Sequence, residues 1–167
     1  MPAPLLPRLG AALYEGLLHA ALIFITGFLM LPLISPGRAA TASALTLPPV
    51  PSRVALFCTL FAMMALYCVW SWTGGRRTLP MKTWRLHIAT AEGRPLAGKT
   101  ALLRYLATWI GPALALIGYA ILRDLGHGGW ALWLLPFNFL WALVDPQRQF
   151  LHDRIAGTRI VRQENQS

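Results

Sequence analysis

The sequence predicts an all-α membrane protein of about four transmembrane helices, with a short two-stranded β element in its polar connections. Three observations point there. Hydrophobic residues make up 56% of the 167 positions, and mean hydropathy is +0.50. Charged residues are only 13%, against roughly a quarter in an average globular domain. The apolar residues also come in long blocks, which suit hydrocarbon better than a packed core with a wet shell.

The first block, Leu9 to Leu31, is interrupted only by Glu15 and His19 and is long enough to span a bilayer. Arg8 and the small residues Ala42-Ser43-Ala44 superficially suggest a cleaved leader. The apolar run is too long for one, and the small residues lie too far beyond it. Pro32 to Ser52, with five prolines, reads as a loop. The second block, Val54 to Thr73, is free of charge and ends in Trp70 and Trp72, residues suited to an interfacial aromatic belt. Gly74-Gly75 stops it.

The interlude 74–99 is polar, and Trp84 to Ile88 alternates as a short strand does. Thr158 to Arg162 is its expected partner. The third block, Ala101 to Leu122, should kink at Gly111-Pro112. Ala107, Gly111, Ala115 and Gly118 share one face, a spacing that lets another helix approach closely and would support a homo-oligomer. The fourth block, Trp130 to Val144, covers only about 22 Å as an α-helix, and it carries an aromatic stripe of Trp130, Trp133, Phe137 and Trp141. The membrane domain therefore occupies residues 5–162, followed by a tail at 163–167.

The net charge of +9 would suggest a nucleic-acid partner in a soluble protein. Its distribution argues otherwise. If all four blocks span, one side collects Arg8, Arg76, Arg77, Lys82, Arg85, Arg94, Lys99, Arg104, Arg148, Arg154, Arg159 and Arg162. The other side holds only Arg38, Arg53 and Arg123. By the positive-inside rule both termini are cytoplasmic, and the basic surplus faces anionic lipid headgroups rather than nucleic acid.

Charge inside a membrane segment is the main candidate for function. Arg8, Glu15 and His19 fall on one face of the first helix, Glu15 about 10 Å along the axis from Arg8. A carboxyl group there must be protonated, paired or wetted. It serves either as a proton or cation relay, with His19 beside it, or as a polar staple to another helix. A second cluster is Asp145, seven residues after Asn138, with His152-Asp153-Arg154. From the residues alone, Asp145 reads as a polar helix terminus and 152–154 as a solvated charge run.

Nothing points to an enzyme, a cofactor or a metal. Glu15 and His19 could offer two ligands, but no third follows by spacing. His87, His127 and His152 stand isolated, and no phosphate loop or nucleophile motif appears. Cys58 and Cys68 lie about 80° apart around one helix and read as packing residues.

The order of these features resembles the RDD family of small bacterial membrane proteins. The residues that carry the resemblance are Arg8 to Glu15, Thr73-Gly74-Gly75-Arg76-Arg77-Thr78-Leu79-Pro80, Gly93-Arg94-Pro95-Leu96, Ala101 to Arg104, Leu140 to Pro146 and Leu151 to Thr158. The family usually has aspartate where this chain has Glu15, whose carboxylate reaches one methylene further. The resemblance implies a bacterial inner-membrane location and transport of ions or small solutes, with an unidentified ligand. It raises Asp153 and Asp145 above a solvated run and implies a network of Arg8, Arg104 and Asp153 at the cytoplasmic edge. The alternative is a non-transporting scaffold or assembly partner that docks through its basic loop.

Overall fold

In a computed structural model of the protein, residues 3–34 and 48–162 are described. Most of the expected loop at 32–52, including Arg38, lies outside them, as does the tail at 163–167.

Three helical stretches are long and apolar enough to cross a membrane: Leu5–Leu33, Val50–Trp72 and Gly98–Leu125. The first is α1 (Leu5–Ile34), the second α2 (Val50–Trp72). Pro49 caps α2 and Pro51 sits in its first turn, where a missing N–H costs nothing. At its far end Gly74 and Gly75 take φ of +60° and +73°, which glycine adopts without steric penalty. Arg76 folds back over this end: Nε donates to Trp70 O at 2.5 Å, and the guanidinium lies 4.9 Å from the Trp70 ring. A cation there complements the helix dipole.

The third stretch is α4 (Gly98–Thr108) and α5 (Ile110–Leu122), broken at Trp109. The break lies just before the expected Gly111-Pro112 kink, and Pro112 explains it. Proline has no N–H for the carbonyl four residues back, which is that of Thr108. The Asn138 side chain takes that acceptor instead, Nδ2 donating to Thr108 O at 2.7 Å.

Between α2 and α4 lie α3 (Leu79–Thr83) and β1 (Leu86–Thr90); α6 (Phe137–Leu140), α7 (Leu151–Ile155) and β2 (Thr158–Arg162) complete the chain. The expected strand pair forms, antiparallel, with Leu86 opposite Arg162 and Thr90 opposite Thr158. It begins two residues later than expected, because Trp84 ends α3 and Arg85 turns at φ 52°. The Ala3 N–H donates to Ile160 O at 3.0 Å, so the start of α1, the sheet and α7 gather at one end of the molecule.

The fourth apolar block is not one helix. It comprises 3-10 turns at Gly128–Leu134, then α6, then 3-10 turns at Trp141–Leu143. Pro136 interrupts any continuous α-helix here. The segment runs back along α5, with Leu135 beside Gly111 and Ala131 beside Gly118. The small-residue face of the third block is therefore covered by the chain itself: Ala107, Gly111 and Ala115 are buried. Trp130 and Trp133 point outward, 68% and 74% exposed.

A Cβ at Gly111 would lie 2.5 Å from Leu135 O, whereas one at Gly27 would meet nothing within 4 Å. Gly111→Ala should therefore cost about 1–3 kcal/mol, read as a lower unfolding temperature in detergent, while Gly27→Ala leaves that temperature unchanged or slightly raised.

Candidate functional site

The charged residues singled out in the sequence converge at the end that carries the sheet. Asp153, the third residue of α7, is fully buried. Arg104 Nε, on α4, donates to Asp153 Oδ1 at 2.8 Å. Arg8 Nη2, on α1, lies 3.8 Å from Asp153 Oδ2. Thr158, at the start of β2, donates to Asp153 Oδ1 at 3.1 Å. Both arginines are buried too, at 3% and 4% exposure. Residues 152–154 are thus not a solvated run: His152 and Asp153 are buried, and only Arg154 is exposed.

Two like charges so placed would repel, and the carboxylate between them offsets that. Each guanidinium also lies over an aromatic face: Arg8 over Phe150, 4.4 Å to the ring centre, and Arg104 over Trp72, 4.2 Å. Trp72 is 4% exposed, so it forms the floor under Arg104 rather than part of an interfacial belt. Trp70 is 65% exposed.

Asp145 has a different task from Asp153. Its Oδ2 accepts from Gln147 N at 2.9 Å and Gln149 N at 3.0 Å, an acid organising its own turn. Within that turn Arg148 takes φ 51°, a conformation uncommon for a residue with a side chain. Its carbonyl then accepts from Arg8 Nη1 at 2.7 Å. Asp145 shapes the loop that brings the Arg148 carbonyl and the Phe150 ring to Arg8. It also lies 3.8 Å from half-exposed Arg154.

Glu15 and His19 stand apart from this cluster but share a cavity with it. The cavity, about 480 Å³, is lined by one face of each long helix. From α1 come Arg8, Ala11, Glu15, His19 and Ile23; from α2, Phe57, Phe61, Met64, Cys68 and Trp72; from the third stretch, Arg104, Tyr105, Thr108, Trp109 and Pro112. The spacings follow the helical period. Tyr105 ties α4 to α2 by donating to Phe61 O at 2.9 Å. Glu15 Oε2 accepts from Thr78 Oγ1 at 3.5 Å, while its Oε1 is buried with no hydrogen-bond partner among the described residues. Thr78 also caps α3, accepting from Met81 N. His19 Nε2 lies 3.6 Å from Cys68 Sγ, and its ring meets Tyr67 edge-on at 5.7 Å. Among the described residues no three His, Cys, Asp or Glu side chains are placed to hold a metal ion.

Four contributors escaped sequence reasoning. Trp72 closes an apolar block and Phe150 sits in a polar run, and in neither context does anything mark a cation partner from another element. The Arg148 carbonyl is backbone and leaves no trace in side-chain type. Thr78 did leave a signal: threonine just ahead of Leu79-Pro80 is a helix start.

The fold and the cluster together define a class: a small multi-pass helical membrane protein in which a buried acid clamps two arginines from separate helices. The sequence profile of the RDD family matches residues 2–157, nearly the whole chain, and the chain belongs to that family. No curated protein and no solved structure matches it.

Burial alone would raise the Asp153 carboxyl, but Arg104, with His152 and Arg8, holds it below its ordinary range. Asp153→Asn leaves two buried guanidiniums without a counter-charge. It should cost about 3–5 kcal/mol in thermal or denaturant unfolding, whereas Arg154→Gln, at the exposed pair, should cost under about 1 kcal/mol.

Burial drives the His152 imidazole down to about 4, with Arg104 and Arg8 adding to it and Asp153 opposing. The folded state therefore binds fewer protons than the unfolded one between the ordinary value of 6.5 and about 4. Unfolding temperature should fall as pH drops through that window and level off, on this group's account, below it. His152→Gln should flatten that part of the profile.

Proposed function

We propose that this protein moves an ion or small solute across the bacterial inner membrane through the cavity between its long helices, with Glu15 as the exchanging acid. The observation that carries this reading is the cavity's lining. Each long helix turns one face to it, and those faces hold Arg8, Glu15, His19 and Arg104 in a mainly apolar lining. Charge at membrane depth is retained where it does something, and Glu15 has an acceptor oxygen not engaged by the described residues.

The return segment at 128–143 serves as a fourth crossing in this reading. As an α-helix it is short. Its 3-10 turns rise about 2.0 Å per residue against 1.5 Å, which lengthens it by up to about a third. With four crossings the basic residues divide twelve to three, so the cluster end and both termini face the cytoplasm. A scaffold docking through the 74–99 loop has less support. Met81, Leu86, Ile88 and Leu96 of that loop belong to the protein's own core, and Arg76 is engaged on Trp70 and Thr73.

Proton or Na⁺ flux into proteoliposomes is the test. Wild type should show flux above empty vesicles, and Glu15→Gln, which keeps size and hydrogen bonding but cannot ionise, should lower it at least tenfold. Equal flux from the two proteins, or none from either, sinks the reading.

A further inference from the structure

The cavity has two unlike ends. Its lining on α1 runs from Arg8 to Ile23, fifteen residues or about 22 Å along the axis. At the Ile23 end the walls are Phe57, Leu60, Phe61, Trp109 and Pro112. At the Arg8 end they include Trp72, Arg104 and His152.

Hydrogen-bond donors at the charged end are under-used. Arg104 commits Nε to Asp153. Arg8 commits Nη1 to the Arg148 carbonyl, and its Nη2 reaches Asp153 only at 3.8 Å. Arg8 Nε and Trp72 Nε1 are buried with no acceptor among the described residues. A guanidinium carries five N–H groups and an indole one, all donors. Asp153 lies outside the cavity wall; its Oδ1 accepts from Arg104 and Thr158, while its Oδ2, 3.8 Å from Arg8 Nη2, has no hydrogen-bond partner among the described residues. Arg8 and Trp72 nevertheless line the cavity while Asp153 does not, so an acceptor for Arg8 Nε and the Trp72 N–H can come from the cavity side; Glu15 lies about two helical turns further along α1.

We infer that the cavity takes an amphipathic anion: a carboxylate or phosphate headgroup against Arg8, Arg104 and the Trp72 N–H, with a single apolar chain along Phe57, Phe61 and Trp109. Oxyanions match the guanidinium fork. An apolar cation would meet two guanidiniums at the polar end, and a polyol would leave its hydroxyls against aromatic walls. The Trp72 ring and its N–H have separate duties: the face supports Arg104 and the edge donates to the headgroup. The inference rests on the cavity being the solute site, as proposed above.

The test is calorimetric binding to the full chain in phosphatidylcholine nanodiscs, with empty discs subtracted, using octanoate, octyl phosphate and octyltrimethylammonium. At least one anion should bind tenfold or more tightly than the cation. Trp72→Phe keeps the stacked ring and removes the donor. It should weaken the preferred anion about tenfold and leave the cation unchanged. Preference between the two anions names the headgroup, and competition by phosphatidylglycerol added to the discs assigns it to a membrane lipid. Equal binding of all three, tighter binding of the cation, or anion binding untouched by Trp72→Phe overturns the inference. Selective anion binding in a protein that shows no flux would remove the transport reading and leave this one standing; flux without anion preference would do the reverse.

Discussion

One carboxylate, that of Asp153, joins four elements drawn from three parts of the chain that are far apart in sequence. It meets Arg8 from α1, Arg104 from α4 and Thr158 from β2, and it sits in α7 itself. Burying such a group is expensive unless its partners are supplied in full. The surrounding elements supply hydrogen bonds to Oδ1 and a guanidinium 3.8 Å from Oδ2. The Asp145 turn brings a carbonyl and a phenyl ring to Arg8. The end of α2 brings an indole face to Arg104. The strand pair fixes Thr158 beside the acid. Helices in hydrocarbon gain little from apolar burial against one another, so a polar clamp at one end has unusual influence over how their ends are arranged.

The clamp leaves the helices spread enough for a cavity between them. Tyr105 and Phe61 hold α4 to α2, while α5 is engaged on its other face by the return segment through Gly111 and Gly118. The third stretch thus has two surfaces with two uses: small residues where its own chain packs closely, and aromatic residues where a chamber remains. Pro112 makes this division workable. It breaks the helix at Trp109 and frees a carbonyl that Asn138 of the return segment takes. One hydrogen bond therefore fixes the level at which the return segment meets the kink.

Much of this was readable from residue order. Long apolar blocks define α1, α2 and the third stretch. Alternation marks the strand pair to within two residues, and the 3.6-residue period puts Arg8, Glu15 and His19 on one face. The fourth block misled as a helix because hydropathy reports what surrounds a segment, not its backbone geometry. Its 3-10 turns follow from Pro136 and from the close approach to α5. The small-residue face was read correctly as a close-packing surface, but its partner is intramolecular. The 152–154 run looked solvated because three polar residues in a row usually are. Arginines more than forty residues away make it the most buried charge in the cluster.

The sequence by itself determined that this is a membrane protein with a charged first-helix face, since hydrophobic length and helical period are local properties of the chain. The family resemblance already implied a network of Arg8, Arg104 and Asp153; only the tertiary structure decided that Asp153 is buried between the arginines, that Asp145 shapes a turn, and that Trp72 and Phe150 are cation platforms. Those roles depend on which side chains arrive from elsewhere, and an electrostatic partner across the fold leaves no periodicity in the residues around it.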